Sequence, residues 1–204
     1  LGATSSYPTL DRNLIYVITN TYTGYTLVGL VFYCSTSSEI KVQNCGFYSD
    51  DNGANMSWAV LIDDSAGSAT GYFYNNTFVG WTVGMYRGSE DVTHYVKNCG
   101  FYNVTTKFTG SWSETTNSTT SPTFASGKTF HLASGDTTWK DQGTDLSSDS
   151  GRINTLDIDG ESRSGSWDIG CDEYVAAGGD PEGSLIGGKL LRGGLLMHGV
   201  LSRG

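Results

Sequence analysis

Apolar and polar residues along this chain alternate at period two in short paired runs, and the pair of runs recurs. Residues 27–47, 58–78 and 81–101 align column by column over 21 positions. In the first run Gly29, Val60 and Val83 share a column, and Val31, Ile62 and Met85 share the next but one. Leu30, Leu61 and Gly84 stand between them, with Phe32, Asp63 and Tyr86 after, so one face is apolar and the other mixed. In the second run Val42, Phe73 and Val96 are flanked by Lys41, Tyr72 and Tyr95 and by Gln43, Tyr74 and Lys97. An asparagine column (Asn44, Asn75, Asn98) and a phenylalanine column (Phe47, Phe78, Phe101) close each unit. Alternation of this kind predicts strands, because successive side chains of a strand point to opposite faces.

Phe78 and Phe101 lie 23 residues apart, and Phe47 and Phe78 lie 31 apart, the extra length fitting an insertion within 49–57. A period in the low twenties predicts stacked repeats that bury their apolar faces against one another. Apolar runs of helical period are absent, and Thr, Tyr, Val, Phe, Ser and Gly suit strands and tight turns. The expected fold is therefore all-β, a parallel solenoid with coils about 4.8 Å apart. Stacked phenylalanines would fill its interior, and asparagines would sit where the chain turns through left-handed geometry. The spacing to Phe124 predicts a degenerate Ser/Thr-rich coil over 104–124 with a solvated loop at 111–122. Residues 14–22 resemble the second strand of a coil begun upstream, and Trp58 and Trp81 are expected to stack at the strand starts.

The chain then divides into an incomplete first coil (1–26), β-coils (27–124), a last coil with a capping segment (125–175), a linker (176–184) and a tail (185–204). Leu1 in place of Met, with the upstream half-coil, predicts a processed or partial chain. Twelve basic against 21 acidic residues, net charge −9, argue against nucleic acid as a partner, since affinity for phosphate comes from Lys and Arg. An apolar run of 18 residues is missing, which argues against membrane insertion. Cys34, Cys45, Cys99 and Cys171 lack metal-site spacing. Cys45 and Cys99 share a column with Asn76 between them, roughly 9–10 Å apart and beyond disulfide reach. They read as buried apolar groups of a protein folded in a reducing compartment. No motif calls for a cofactor.

Residues 157–174 contain Asp157-Ile-Asp159-Gly160, then Arg163, then Trp167-Asp168-Ile169-Gly170-Cys171-Asp172-Glu173-Tyr174. This pattern resembles the closing segment of right-handed parallel β-helix proteins with the pectin-lyase-like fold, Cys171 standing where that segment usually carries Ala. The resemblance covers about 14–174 and implies a right-handed β-helix, a fold that hosts lyases, hydrolases, adhesins and phage tailspikes. The segment is expected to cap the last coil, with Arg163 paired to one of Asp157, Asp159, Asp168 or Asp172. Asp157 and Asp159 are weak candidates for a calcium site, lacking the further spaced carboxylates of an EF-hand.

Enzymes of this fold carry charged clusters on the outer face of adjacent coils. Here Asp64 and Arg87 fall in one column with His94 in the next turn, a weak candidate catalytic group for glycoside cleavage. The Asp-Asp, His-Gly and Arg-Ile-Lys set of polygalacturonase-like enzymes is incomplete here, and the R-x-P-x-x-R of pectate lyases is missing. An Asp64–Arg87 ion pair is the plainer reading. Tyr72, Tyr74, Tyr86 and Tyr95 are expected outward, either to stack on surface glycans or to pack under loops or a neighbouring subunit.

The tail repeats at period five. Leu185, Leu190, Leu195 and Val200 form one column, and Ile186, Leu191, Leu196 and Leu201 the other. One such coil cannot bury its own leucines, which predicts assembly with a second copy or with other virion proteins. Lys189, Arg192, His198 and Arg203 make this its basic patch. The expected role is a non-enzymatic structural protein of a virus particle: a phage fibre, spike or capsid-decorating subunit. Alternatives are a secreted polysaccharide lyase, glycoside hydrolase or carbohydrate-binding module, or a cell-surface adhesin.

Overall fold

The computed structural model describes residues 8–17, 27–33, 38–50, 57–63, 69–88, 92–125 and 130–176. Within these lie strands β1 (Thr9–Asp11), β2 (Leu14–Val17), β3 (Leu27–Tyr33), β4 (Ser38–Gln43), β5 (Gly46–Ser49), β6 (Ser57–Asp63) and β7 (Ala69–Tyr74). They continue as β8 (Thr77–Val79), β9 (Val83–Arg87), β10 (Tyr95–Lys97), β11 (Gly100–Tyr102), β12 (Thr106–Thr109) and β13 (Ser113–Thr115). The strands deal themselves in rotation into three parallel sheets: β1-β4-β7-β10-β13, β2-β5-β8-β11 and β3-β6-β9-β12. Each circuit of the chain adds one strand to each sheet, the arrangement of a parallel β-solenoid.

The turn between the first two sheets is the most regular part. Asn44, Asn75 and Asn98 occupy it with φ of 53°, 53° and 51°, and Arg12 (55°) and Thr116 (53°) take the same place in the first and last coils. Asparagine enters this left-handed region at lower cost than most residues, which accounts for its column. Directly after it, Phe47 and Phe78 stack at 4.9 Å and 14°, and Phe78 and Phe101 at 4.8 Å and 9°. Around them close Ile40, Val42, Val60, Ile62, Phe73, Met85 and Val96, all buried.

A second ladder runs one residue beyond the asparagine turn. Asn76 Oδ1 accepts the Cys45 N–H (3.0 Å) and its Nδ2 donates to the Val42 carbonyl (2.8 Å). Asn117 does the same one coil further for Cys99 N–H (2.8 Å) and the Val96 carbonyl (3.0 Å). Cysteine and asparagine thus alternate, the small thiol leaving room for the amide of the adjacent coil. Burial pushes the Cys45 and Cys99 thiols up to about 12, and the Cys171 thiol upward as well.

Five expectations about register and placement are corrected. In the third sheet Val60 pairs with Leu30 and Met85, not with Gly29 and Val83. A one-residue slip exchanges the two faces of a strand, and Leu30 and Phe32 accordingly pack on the core. Leu14–Val17 lies in the phenylalanine sheet, with Ile15 beside Phe47, and Thr9–Asp11 supplies the strand before it. The last coil is shorter than the others: Tyr95 pairs with Ser113 and Gly100 with Ser118, so 111–122 contains β13 rather than a solvated loop. Phe124 leaves the column and bridges Leu132 in antiparallel fashion. Finally, Trp58 stacks on Tyr86, and Trp81 is buried with its Nε1 donating to the Phe47 carbonyl (3.0 Å).

The segment after the last coil extends beyond it through residues 144–154. It runs lengthwise along the flank as a strap, touching Asn98 and Thr116 through Thr144, Lys97 and Tyr74 through Asp149, Gln43 through Gly151 and Ile153, and Asp11 through Asn154. It therefore binds every coil from last to first. The linker and the tail at 185–204 lie outside the described residues.

Candidate functional site

The described members of the sequence-predicted catalytic group are structural in their contacts. Arg87, at the end of β9, is 4% exposed and its Nη1 donates to the Ser111 carbonyl (2.8 Å). His94 is fully buried; its Nδ1 accepts the Gly71 N–H (2.9 Å) and its ring lies 5.1 Å from that of Trp112. A nitrogen accepting an amide N–H carries no proton, so the ring is held as the Nε2–H tautomer. A cleft of about 270 Å³ opens beside Arg87, Thr93, Ser111 and Trp112, and His94 is not part of its wall. Asp64 lies outside the described residues.

The tyrosines separate into two groups. Tyr72 and Tyr95 stack at 5.5 Å and 11°, with Tyr74 edge-on to Tyr72. Tyr74 turns away from the solenoid core and is covered by the strap: it is 1% exposed, packs with Leu146 and Trp167, and its hydroxyl donates to Asp149 Oδ1 (3.0 Å). These three rings are the bed on which the strap lies, with Tyr72 and Tyr95 half-buried against it. Tyr86 belongs elsewhere, half-buried and stacked on Trp58 at 4.4 Å and 6°.

The densest charged group sits in the strap. Arg163 pairs with Glu173 (3.0 Å), a partner the sequence reading did not name, and also donates to the carbonyls of Asp168 and Gly170. Burial pushes the Glu173 carboxyl up to about 7 and the Asp157 carboxyl up to about 6. Asp157 is fully buried and accepts from the N–H groups of Asp159, Glu161 and Glu173, which makes it the hub of a turn. Asp168 likewise accepts from Asp141 and Tyr174.

Asp159 points instead to His131. His131 Nδ1 lies 3.0 Å from Asp172 Oδ1 and 3.2 Å from Asp159 Oδ2. The hydrogen bond to Asp172 raises the imidazole to about 9, burial opposing and both carboxylates adding to the rise. These three side chains form one cluster of metal-ligand type. From the sequence Asp159 is a metal candidate and Asp172 only a possible partner of Arg163, while His131 goes unnoticed, since nothing periodic links positions 131, 159 and 172. Comparison with protein families, with curated proteins and with solved structures finds no match to this chain. Among the described residues no helix is long and apolar enough to cross a membrane.

Proposed function

We propose that this chain is a non-enzymatic structural protein of a virus particle, a fibre, spike or capsid-decorating β-helix. In this reading the solenoid is right-handed, as parallel crossovers overwhelmingly are, and of the pectin-lyase-like type its closing segment resembles. The observation that carries it is the engagement of Arg87 and His94 with main-chain atoms of neighbouring coils. Groups committed to backbone bonds in the interior are poorly placed to meet a polysaccharide. The strap, bonded from Asn98 to Asp11, adds lengthwise stiffness suited to a load-bearing rod. Residues 185–204 would dock the rod on sister subunits or on the particle, their two apolar columns needing a second surface.

A second reading, a carbohydrate-binding or polysaccharide-cleaving β-helix, is favoured by the half-buried Trp58–Tyr86 stack, since flat aromatic pairs suit sugar rings. Sedimentation of the full chain beside a 1–184 truncation tests the first reading. The full chain is expected to assemble and the truncation to remain monomeric. A truncation that assembles equally well, or a full chain that releases sugar ends from an acidic polysaccharide, overturns it.

A further inference from the structure

We propose that His131, Asp159 and Asp172 form a site for a divalent transition-metal ion, zinc being the best fit, that clips the strap to the segment beneath it. The proposal is independent of the structural role argued above. Ligand atoms at about 2.0–2.2 Å from a tetrahedral ion stand roughly 3.3–3.5 Å from one another. His131 Nδ1 already lies 3.0 Å and 3.2 Å from its two carboxylate oxygens, and the three ligand atoms all fall within 4.8 Å of one another. A small outward adjustment admits an ion between them.

The donor set decides the class of ion. One imidazole nitrogen with two carboxylate oxygens suits zinc, whereas calcium and magnesium prefer oxygen alone. Two carboxylates also neutralise a dication.

The ligands are held in place by their own partners. Asp172 is 5% exposed and its Oδ2 accepts the Leu132 N–H (2.7 Å), which leaves Oδ1 turned to His131. Leu132 is bridged to Phe124, which fixes the backbone next to His131. Asp157 Oδ1 accepts the Asp159 N–H (3.0 Å) and so sets the turn that presents Asp159. Outer bonds of this kind orient metal ligands.

A cleft of about 210 Å³, lined also by Glu161, Glu173 and Tyr174, opens onto the cluster. It gives the ion a way in and a water its place as fourth ligand. The ion would tie together positions 41 residues apart, His131 and Asp172.

The test uses the full chain stripped with a chelator and titrated with zinc by calorimetry and with cobalt(II) by visible absorption. His131→Gln and Asp159→Asn serve as variants, because both side chains are 40% or more exposed and tolerate replacement. Wild type should bind one ion at this site and show the bands of four-coordinate cobalt, and zinc should raise its melting temperature. Each variant should weaken the affinity at least tenfold and abolish both the bands and the thermal shift, with an unchanged circular dichroism spectrum. Wild-type binding no tighter than that of His131→Gln overturns the proposal. So do cobalt bands that survive both substitutions, which would place the ion on the cysteines or on His198, and calcium binding in preference to zinc.

Discussion

Asn98 and Thr144 exchange two hydrogen bonds: the Thr144 N–H donates to Asn98 Oδ1 (2.9 Å), and Asn98 Nδ2 donates to the Thr144 carbonyl (2.7 Å). The amide imitates the edge of a strand and fastens the strap to the solenoid. The same residue holds φ of 51° and donates to Asn75 Oδ1 (3.2 Å), so one side chain serves both the turn ladder and the strap.

Replacing Asn98 separates these two roles. Asn98→Gly keeps the left-handed turn and loses only the side-chain bonds, at a cost of about 1–3 kcal/mol. Asn98→Ala loses the bonds and also strains the turn, adding about 1–2 kcal/mol. Urea unfolding of both variants measures the difference. Equal costs would show that strain in the turn is no larger than the extra unfolded-state entropy of glycine.

The phenylalanine column predicts a steep contrast between interior and surface. Phe78 is fully buried between Phe47 and Phe101, and Phe78→Ala should cost about 3–5 kcal/mol through lost transfer energy and the cavity left behind. Tyr33, 78% exposed, should tolerate Ala within about 0.5 kcal/mol. Thermal melts of the two variants check this, and a mild Phe78→Ala would mean that the column is not the main support of the core.

Acid should loosen the strap at Asp149. This carboxylate accepts from Tyr74 Oη (3.0 Å), Lys97 Nζ (2.5 Å) and the Gly151 N–H (2.8 Å). Burial opposes its ionisation, but those donors prevail and hold it below the usual carboxylate range. A carboxyl depressed on folding stabilises the fold fully above its unfolded pKa, about 3.9, and that stability is lost as pH falls through the folded value. Asp149→Asn should be less stable than wild type at pH 7, and the gap should shrink as the pH falls below about 4. Chemical denaturation across that window measures it; a gap independent of pH would exclude the ionised carboxylate as the cause.

Much of the architecture is legible in the sequence. Asn44, Asn75 and Asn98 at the turns and Phe47, Phe78 and Phe101 in one stack stand where their columns placed them. So does Asn76 between Cys45 and Cys99. The tight asparagine turn permits no slack, so the strands on either side of it keep a common offset from coil to coil. The third sheet joins its neighbours through longer connections, and there the alignment slipped by one residue at Leu30 and by two at Met85.

The candidate site was less legible. Residue type and spacing drew attention to Asp64, Arg87 and His94, yet burial engages Arg87 and His94 in the interior. His131, Asp159 and Asp172 meet only in the folded chain, from positions that share no period. By itself the sequence determined what a repeating local interaction can encode: strand, turn and stacked column, each written anew in every coil. Tertiary structure alone decided the route of the strap, the pairing of Arg163 with Glu173 and the meeting of His131 with its two carboxylates. Each of these contacts occurs once, so no period announces it, and only the competition of burial, charge and hydrogen bonding in the folded chain selects the partner.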